Sequence, residues 1–426
     1  RLLKLDPFIL FHLASIITSI FLILVCYFIC RLFIKDTLYR ISAFIVIVLG
    51  GGFAWVPYLS FSADNKIAGF TLVNALERGH DAFITFITLL TFIFMYLYMK
   101  APKGKYIFWA SLAGIIGMTF HPPMLGLYLG AAGVLAFIHY KENKKIRLFV
   151  LPVILSLAFI VYGLLVLSNL FSNPGFSGVV GQNLFNVDSL SLFLGFGFLS
   201  PFIFWSIIRE EKNREIFFLK VFFLIQLFFL FLPSGFHLYY AKGLFVWGVL
   251  LGIYGITSLI GSLKIQRIVL TFVVVTSLMT RVHIFASLVD AKFNNPFFFL
   301  KADEGKALEY ISSLPKDSGV LSLYRIGNYI PAFSDARVYY GHKFQTPQAG
   351  EKLNIAKHFY LSDDEKLQRE FLKLNNIQYI YYGLEEAKVR QDAKLDTKNP
   401  FPNYPIIFQN DSSIIYSASA SAEKIK

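Results

Sequence analysis

Charge is scarce in this sequence. Asp, Glu, Lys and Arg make up only 16% of its 426 residues, too little to solvate the surface of a soluble chain of this size. Cysteine occurs twice, at Cys26 and Cys30. Both lie one helical turn apart in an apolar run, where they read as packing residues and not as a disulfide framework. Motifs of soluble enzymes are missing too. There is no phosphate-cradling glycine loop ending in Lys-Ser/Thr, no H-E-x-x-H, no paired-cysteine zinc motif and no G-x-S-x-G. These gaps exclude the common nucleotide hydrolases, zinc peptidases and α/β-hydrolases.

What the chain has instead is apolar residues, 56% of the total, with 47 phenylalanines. Apolar runs recur at 8–31, 41–61, 82–99, 106–120, 123–140, 148–170, 189–208, 216–233, 244–262 and 268–288. A span needs about 20 apolar residues, so the pattern predicts an α-helical polytopic membrane protein of about ten transmembrane helices. The net charge of +13 is not a nucleic-acid footprint. The connections 31–40, 100–105, 141–147, 209–215 and 264–267 carry fifteen Lys and Arg against five Asp and Glu. The alternate connections, 62–81, 121–123, 171–188 and 234–243, hold only three Lys and Arg: Lys66, Arg78 and Lys242. Positive charge collects on the cytoplasmic side, so the second set faces outward, in a plasma (inner) membrane. The first run then crosses from outside to inside, and with no initiator methionine before it the expectation is that part of the protein lies upstream.

Past Asn294-Asn295-Pro296 the composition changes. Residues 301–426 carry seventeen basic and sixteen acidic side chains and no long apolar run. Two domains are expected, a transmembrane one over 1–290 and an extracytoplasmic α/β one over 291–426. In the second, ADEGKALEYISSL, GEKLNIAKHFY and SDDEKLQREFLKL read as helices, the last capped by Ser362 with Glu365 in the capping-box position. GVLSLY, ARVYY and IQYIYYG read as strands, and PIIFQNDSSIIYSA as a hairpin around Asn410-Asp411.

Chemistry-bearing residues concentrate on the outward side. Loop 62–83 ends in ALERGHDAF, where Glu77 and Asp81 are candidate catalytic carboxylates and Arg78 and His80 candidate phosphate ligands. The alternative is a solvated interfacial loop whose charges cap the next helix. His121 in GMTFHPPMLG stands before two prolines that start the next helix. It is either a polar filler at a hairpin tip or a substrate ligand at the head-group level. SGFHLYYAKGLF brings His237 and Lys242 to the same side, and Lys242 fits anion binding or snorkelling to head groups. Gly50-Gly51-Gly52 reads as a close-packing or bending site. In YRIGNYIPAFSDARVYYGHKFQTPQAGEK, Arg325, Asn328 and His342 join aromatic rings in a candidate sugar or isoprenyl-phosphate site, with a structural turn as the alternative.

The order ALEYI…VLSLY…GNYIPAFSDARVYYGH…TP…EK followed by IQYIYYG resembles the C-terminal domain of bacterial polytopic GT-C type membrane glycosyltransferases. GGFAWVPYL, HPPM and YYAKGLF resemble that group as well. The resemblance implies sugar transfer from a polyprenyl-phosphate donor to a glycan, lipid or protein acceptor on the outer face. It implies an outward carboxylate as base, basic side chains on the lipid phosphate, no nucleotide, and a divalent metal in some members only. Two other functions compete with it: a non-catalytic subunit that kept the fold, and a transporter for a lipid or anion, against which stands the lack of charge at mid-membrane.

Overall fold

The computed structural model describes the chain apart from residues 1–6, 60, 68, 77–78, 144–159, 162–163, 166–167, 169–187, 211–212, 233–236, 295–299, 343–345, 399 and 419–426. It divides into two compact units, the larger taking the described residues to Ser287 and the smaller those from Leu288, a boundary that falls inside the helix Leu263–Asn294.

The larger unit is helical: α1 Pro7–Phe33, α2 Thr37–Leu49, the short α3 Ala63–Lys66 and α4 Leu72–Leu76, α5 Gly79–Lys100, α6 Gly104–Phe120, α7 Met124–Asn143, α8 Ser189–Gly195, α9 Ser200–Ile208, α10 Arg214–Phe231, α11 Leu244–Leu259 and α12 Leu263–Asn294. Helix α1 shows why the unit belongs in a bilayer. Leu22, Cys26, Ile29 and Cys30 are fully buried, while Ile16, Ile20 and Leu24 on its other face are exposed and equally apolar. A helix apolar all round needs lipid where protein ends. Both cysteines are free and buried, in packing roles. The abundant phenylalanines build the core. Phe92 of α5 stacks on Phe222 of α10 with centroids 4.8 Å apart, and both rings lie against the buried indole of Trp247 on α11.

Among the described residues, three helical segments are long and apolar enough to cross a membrane, Ile9–Phe33, Gly79–Lys100 and Leu263–Ser287. The count of about ten is not established by that measure, because several apolar runs fold as shorter or broken helices. The run 41–61 is one correction. Its helix ends at Leu49, and Gly50-Gly51-Gly52 turns the chain into an irregular loop. The run 189–208 is another, bent by 104° between α8 and α9. There Gly197 adopts φ +58, a left-handed conformation open to glycine at little cost. Most of the run 148–170 lies outside the described residues.

In the smaller unit a five-stranded sheet has the order β2-β1-β3-β5-β4, with β1 Gly319–Leu321, β2 Arg337–Val338, β3 Tyr379–Tyr382, β4 Ile406–Gln409 and β5 Ile414–Ser417. The first three strands are parallel, and β5 runs antiparallel to β3 and β4. The helices are α13 Ala302–Ser312, α14 Tyr324–Gly327, α15 Ile330–Phe333, α16 Ala349–Leu361, α17 Glu365–Leu374 and α18 Leu384–Asp392. The cap of α17 is a correction to the sequence reading. Asp364, not Ser362, accepts the Lys366 and Leu367 amides, because Ser362 is spent closing α16. Chains α14, α15 and α18 were not expected. The first two are single turns inside a Gly-, Pro- and Asn-rich stretch, and α18 has little amphipathic period to read.

Candidate functional site

The site grows from three chain reversals at helix ends of the larger unit. At the first, α5 opens on Gly79-His80-Asp81. A Cβ on Gly79 would stand 2.2 Å from Ser15 Oγ, so glycine here admits α1 to the start of α5. Asp81 falls in the first turn of α5, where the helix dipole favours a carboxylate.

At the second, α6 closes with the His121 amide donating to Gly117 O at 2.8 Å. Pro122 and Pro123 form the turn that leads into α7 at Met124, where their missing N–H groups would have no partner in any case. The Met124 amide donates back to His121 O at 3.0 Å. Tyr240 donates its hydroxyl to Pro123 O at 3.0 Å, pinning this tip to the third reversal. That reversal is a 3₁₀ turn, His237–Ala241, running into Lys242 and Gly243. Gly243 has φ +86. Gln226, fully buried on α10, donates its amide to Lys242 O at 2.8 Å and Tyr240 O at 3.2 Å.

These ends bring four predicted residues together. Lys242 forms an ion pair with Asp81 Oδ1, the two side chains being 1% and 3% exposed. His80 Nε2 lies 3.3 Å from the same oxygen. The His80 and His121 rings stack at 6.0 Å, His121 lies 4.8 Å from Tyr239, and Lys242 Nζ stands 5.7 Å from the Tyr239 centroid. Gly69, with φ +77, covers the lysine stem, and a Cβ there would come 3.2 Å from Lys242 Cγ. Burial, followed by the Lys242 charge, lowers the pKa of His121 in its interhelical connection. Its imidazole is therefore neutral and can accept a hydrogen bond or ligate.

His80, Asp81 and His121 each offer a ligand atom within 4.8 Å of the others. The second carboxylate oxygen of Asp81 is buried with no hydrogen-bond partner among the described residues. A buried acceptor without a donor costs about 1–3 kcal/mol, and a divalent cation would satisfy it together with the two imidazoles. The sequence reading named all three residues but not as a set, since their convergence depends on how α5 and α6 pack.

It also passed over Asp64 as a site. Fully buried, this carboxylate accepts the Gly52 amide at 2.7 Å, the Ala54 amide at 3.2 Å, the Thr280 hydroxyl at 3.2 Å and the Ser62 hydroxyl. Asn74 donates to its backbone oxygen at 2.6 Å. Asp64 thus ties the loop after α2 to α12. The triple glycine serves this closeness, since a Cβ on Gly51 would stand 3.0 Å from Asp64 and one on Gly52 2.1 Å from Leu194 O.

Glu77, Arg78 and the His237 side chain lie outside the described residues. Arg325, Asn328 and His342 belong to the smaller unit. Arg325 is buried and ion-paired with Glu304, its amide donating to Glu385 at 2.7 Å. Asn328 donates to Tyr324 O at 2.8 Å, and the His342 ring lies 6.1 Å from Tyr324. Beneath them Glu386 accepts the Leu323 amide at 2.7 Å and the Gly383 amide at 3.0 Å. Burial, then Glu385, pushes the Glu386 carboxyl up to about 7.

No family model and no curated protein matches the sequence. Solved structures do match. ArnT from Cupriavidus metallidurans, bound to undecaprenyl phosphate, aligns over 96% of this chain and 84% of its own, at TM-score 0.51 and 11% identity. The Archaeoglobus fulgidus oligosaccharyltransferase aligns over 95% of this chain at TM-score 0.46 and 16% identity in its complex with a tethered acceptor peptide. Its apo form gives 0.48 and 14%. This chain spans 62% of the length of the peptide-tethered enzyme. Identities this low speak for architecture alone. The ArnT alignment shows that the chain has the fold of the GT-C type membrane glycosyltransferases, and its long apolar helices fit a membrane protein.

Proposed function

We propose that the chain transfers a glycosyl unit from a polyprenyl-phosphate-linked donor to a hydroxyl-bearing acceptor at the extracytoplasmic face of the membrane. The observation that carries this reading is the buried Asp81–Lys242 pair flanked by His80 and His121. It sits in a fold shared with a protein that binds undecaprenyl phosphate.

In the reaction an acceptor oxygen attacks the anomeric carbon. The bond from that carbon to the phosphate oxygen breaks, and its electron pair leaves with the lipid phosphate. Lys242 supplies the positive charge that meets the departing phosphate, and its fixed position makes this stabilisation preorganised. Asp81 holds Lys242 in place through Oδ1 and presents Oδ2 to the acceptor proton. His121, neutral and facing Tyr239, orients the acceptor or accepts a hydrogen bond from the sugar. A divalent cation held by His80, Asp81 and His121 would add Lewis-acid charge for the phosphate, and Oδ2 would then be its ligand in place of the proton acceptor. Arg78 and Glu77 are further candidates from the same loop, and His237 from the Lys242 segment.

The test is release of polyprenyl phosphate from a radiolabelled polyprenyl-phosphate sugar in membranes carrying the protein. Release that disappears in both Asp81→Asn and Lys242→Met supports the reading. Membranes showing equal release with and without the protein would point instead to the non-catalytic relative.

A further inference from the structure

The smaller unit holds a cavity of about 200 Å³ that the transfer chemistry does not use. At about 30 Å³ per water, it has the volume of six or seven waters, the scale of one sugar ring. Its polar wall is built on Arg390, only 2% exposed. The guanidinium donates to Asp396 O at 2.7 Å, Tyr360 O at 2.8 Å and Asp363 Oδ1 at 3.0 Å. It lies 6.0 Å from the Phe401 ring centroid. All three nitrogens are therefore engaged by the protein, and Arg390 is scaffold, not an anion receptor.

The charge of the wall confirms the point. Among the lining residues one arginine stands with two carboxylates, Asp363 and Asp396, and Arg369 beside Tyr404 and Asn403 is paired with Glu365, so the wall carries no net positive charge to attract phosphate or carboxylate ligands. What remains on offer is a set of neutral-ligand partners. The Asp363 carboxylate is 68% exposed, Asn403 lines the cavity, and Tyr404, which also lines it and is 4% exposed, has a buried hydroxyl with no hydrogen-bond partner among the described residues. Burial pushes the Tyr404 phenol up, so that hydroxyl keeps its proton and can donate. Pro400 and Pro402 bracket Phe401 and fix the backbone there, which lowers the ordering cost of a ligand. A ligand with many hydroxyls and no charge, about one ring in size, meets these demands.

We propose that this cavity is a binding site for one neutral sugar residue of a glycan. The choice of a glycan as the biological ligand rests on the glycosyl-transfer reading. The preference for a neutral polyol over an anion rests on the cavity alone. Its residues belong to the smaller unit, and Asp81 and Lys242 to the larger; it holds the acceptor or product glycan by a residue that does not react.

The test is saturation-transfer NMR on the full chain in a detergent without sugar head groups. The probes are the methyl glycosides of glucose, galactose, mannose and N-acetylglucosamine, with methyl phosphate, whose methyl protons report in the same way, as the charged comparison. The expected result is saturation transfer to at least one glycoside. The affinity should fall about five- to tenfold, the loss of one or two hydrogen bonds, in Asn403→Ala/Tyr404→Phe. It should be unchanged in Asp81→Asn, so that failure of the transfer chemistry does not mask binding. Tyr404→Phe alone removes a hydroxyl without a partner and serves as the variant whose folding is not in question; it should weaken binding in the same direction. Transfer to none of the four glycosides overturns the proposal. So does binding that both cavity variants leave intact, and so does binding that Asp81→Asn abolishes.

Discussion

Replacing Lys242 with methionine separates what the buried pair does for the fold from what it does for chemistry. The two side chains are 1% and 3% exposed, so removing the ammonium leaves the Asp81 carboxylate uncompensated among buried groups. Breaking such a pair costs about 3–5 kcal/mol, and the loss of the Tyr239 ring contact adds about 0.5–2 kcal/mol. The double variant Asp81→Asn/Lys242→Met removes both charges and keeps side chains of similar volume. Replacing both partners is close to neutral, so stability should return to within about 1–2 kcal/mol of the parent. Thermal unfolding in detergent, followed by tryptophan emission, reads the first effect, and release of polyprenyl phosphate reads the second. Lys242→Met should unfold several degrees early, the double variant near the parent, and neither should transfer sugar. A double variant that is stable and fully active would refute the reasoning, because the pair would then be structural only. A single variant with unchanged unfolding would refute the burial argument.

Three further outcomes follow from single residues. Glu386, with an ordinary carboxyl value of 4.5, is held up to about 7 by burial, so the folded chain binds its proton more tightly than the unfolded one. Its contribution is full below about 4.5 and is lost as pH rises through about 7, a fall of about 3 kcal/mol; Glu386→Gln should flatten that part of the stability–pH curve measured by hydrogen exchange at β1 and β3. Gly52→Ala places a methyl 2.1 Å from Leu194 O and should destabilise by about 1–3 kcal/mol, whereas Gly133→Ala, with nothing within 4 Å of its Cβ, should be neutral or stabilising in the same melting assay. With both native cysteines buried, Asp411→Cys offers a clean label: it should react with an impermeant maleimide in intact cells, and protection until lysis would contradict an outward smaller unit.

The sequence made helix positions legible wherever composition alone decides them. The edges of α5, α6 and α7 fall within a few residues of their apolar runs, because an apolar segment in lipid must satisfy its own backbone. Span count was less legible. Leu49 and Gly50 sit in a run that stays apolar to Leu59, and what ends the helix is Asp64 drawing the Gly52 and Ala54 amides toward itself. That is a contact between positions ten and twelve residues apart, with no periodic trace. The smaller unit's strands were readable from IQYIYYG and its neighbours, while α18 was not, since its buried Glu386 and Arg390 look like surface residues in sequence.

The site shows the same division. The charge asymmetry of the loops singled out Lys242, and His121 was conspicuous between Phe120 and Pro122. The ion pair to Asp81 and the three-ligand arrangement with His80 required the packing of three helix ends. Arg325 illustrates the converse. In sequence it is a cation among aromatic and amide side chains; in the fold its guanidinium is turned inward onto Glu304.

The central claim is that the Asp81–Lys242 cluster receives a lipid phosphate. Native mass spectrometry of the detergent-purified protein with undecaprenyl phosphate tests it most directly. The account predicts a one-to-one complex with the parent and at least a tenfold weaker one with Lys242→Met and with Asp81→Asn/Lys242→Met, a loss of about 1.4 kcal/mol or more. Binding of equal strength in all three proteins would contradict it.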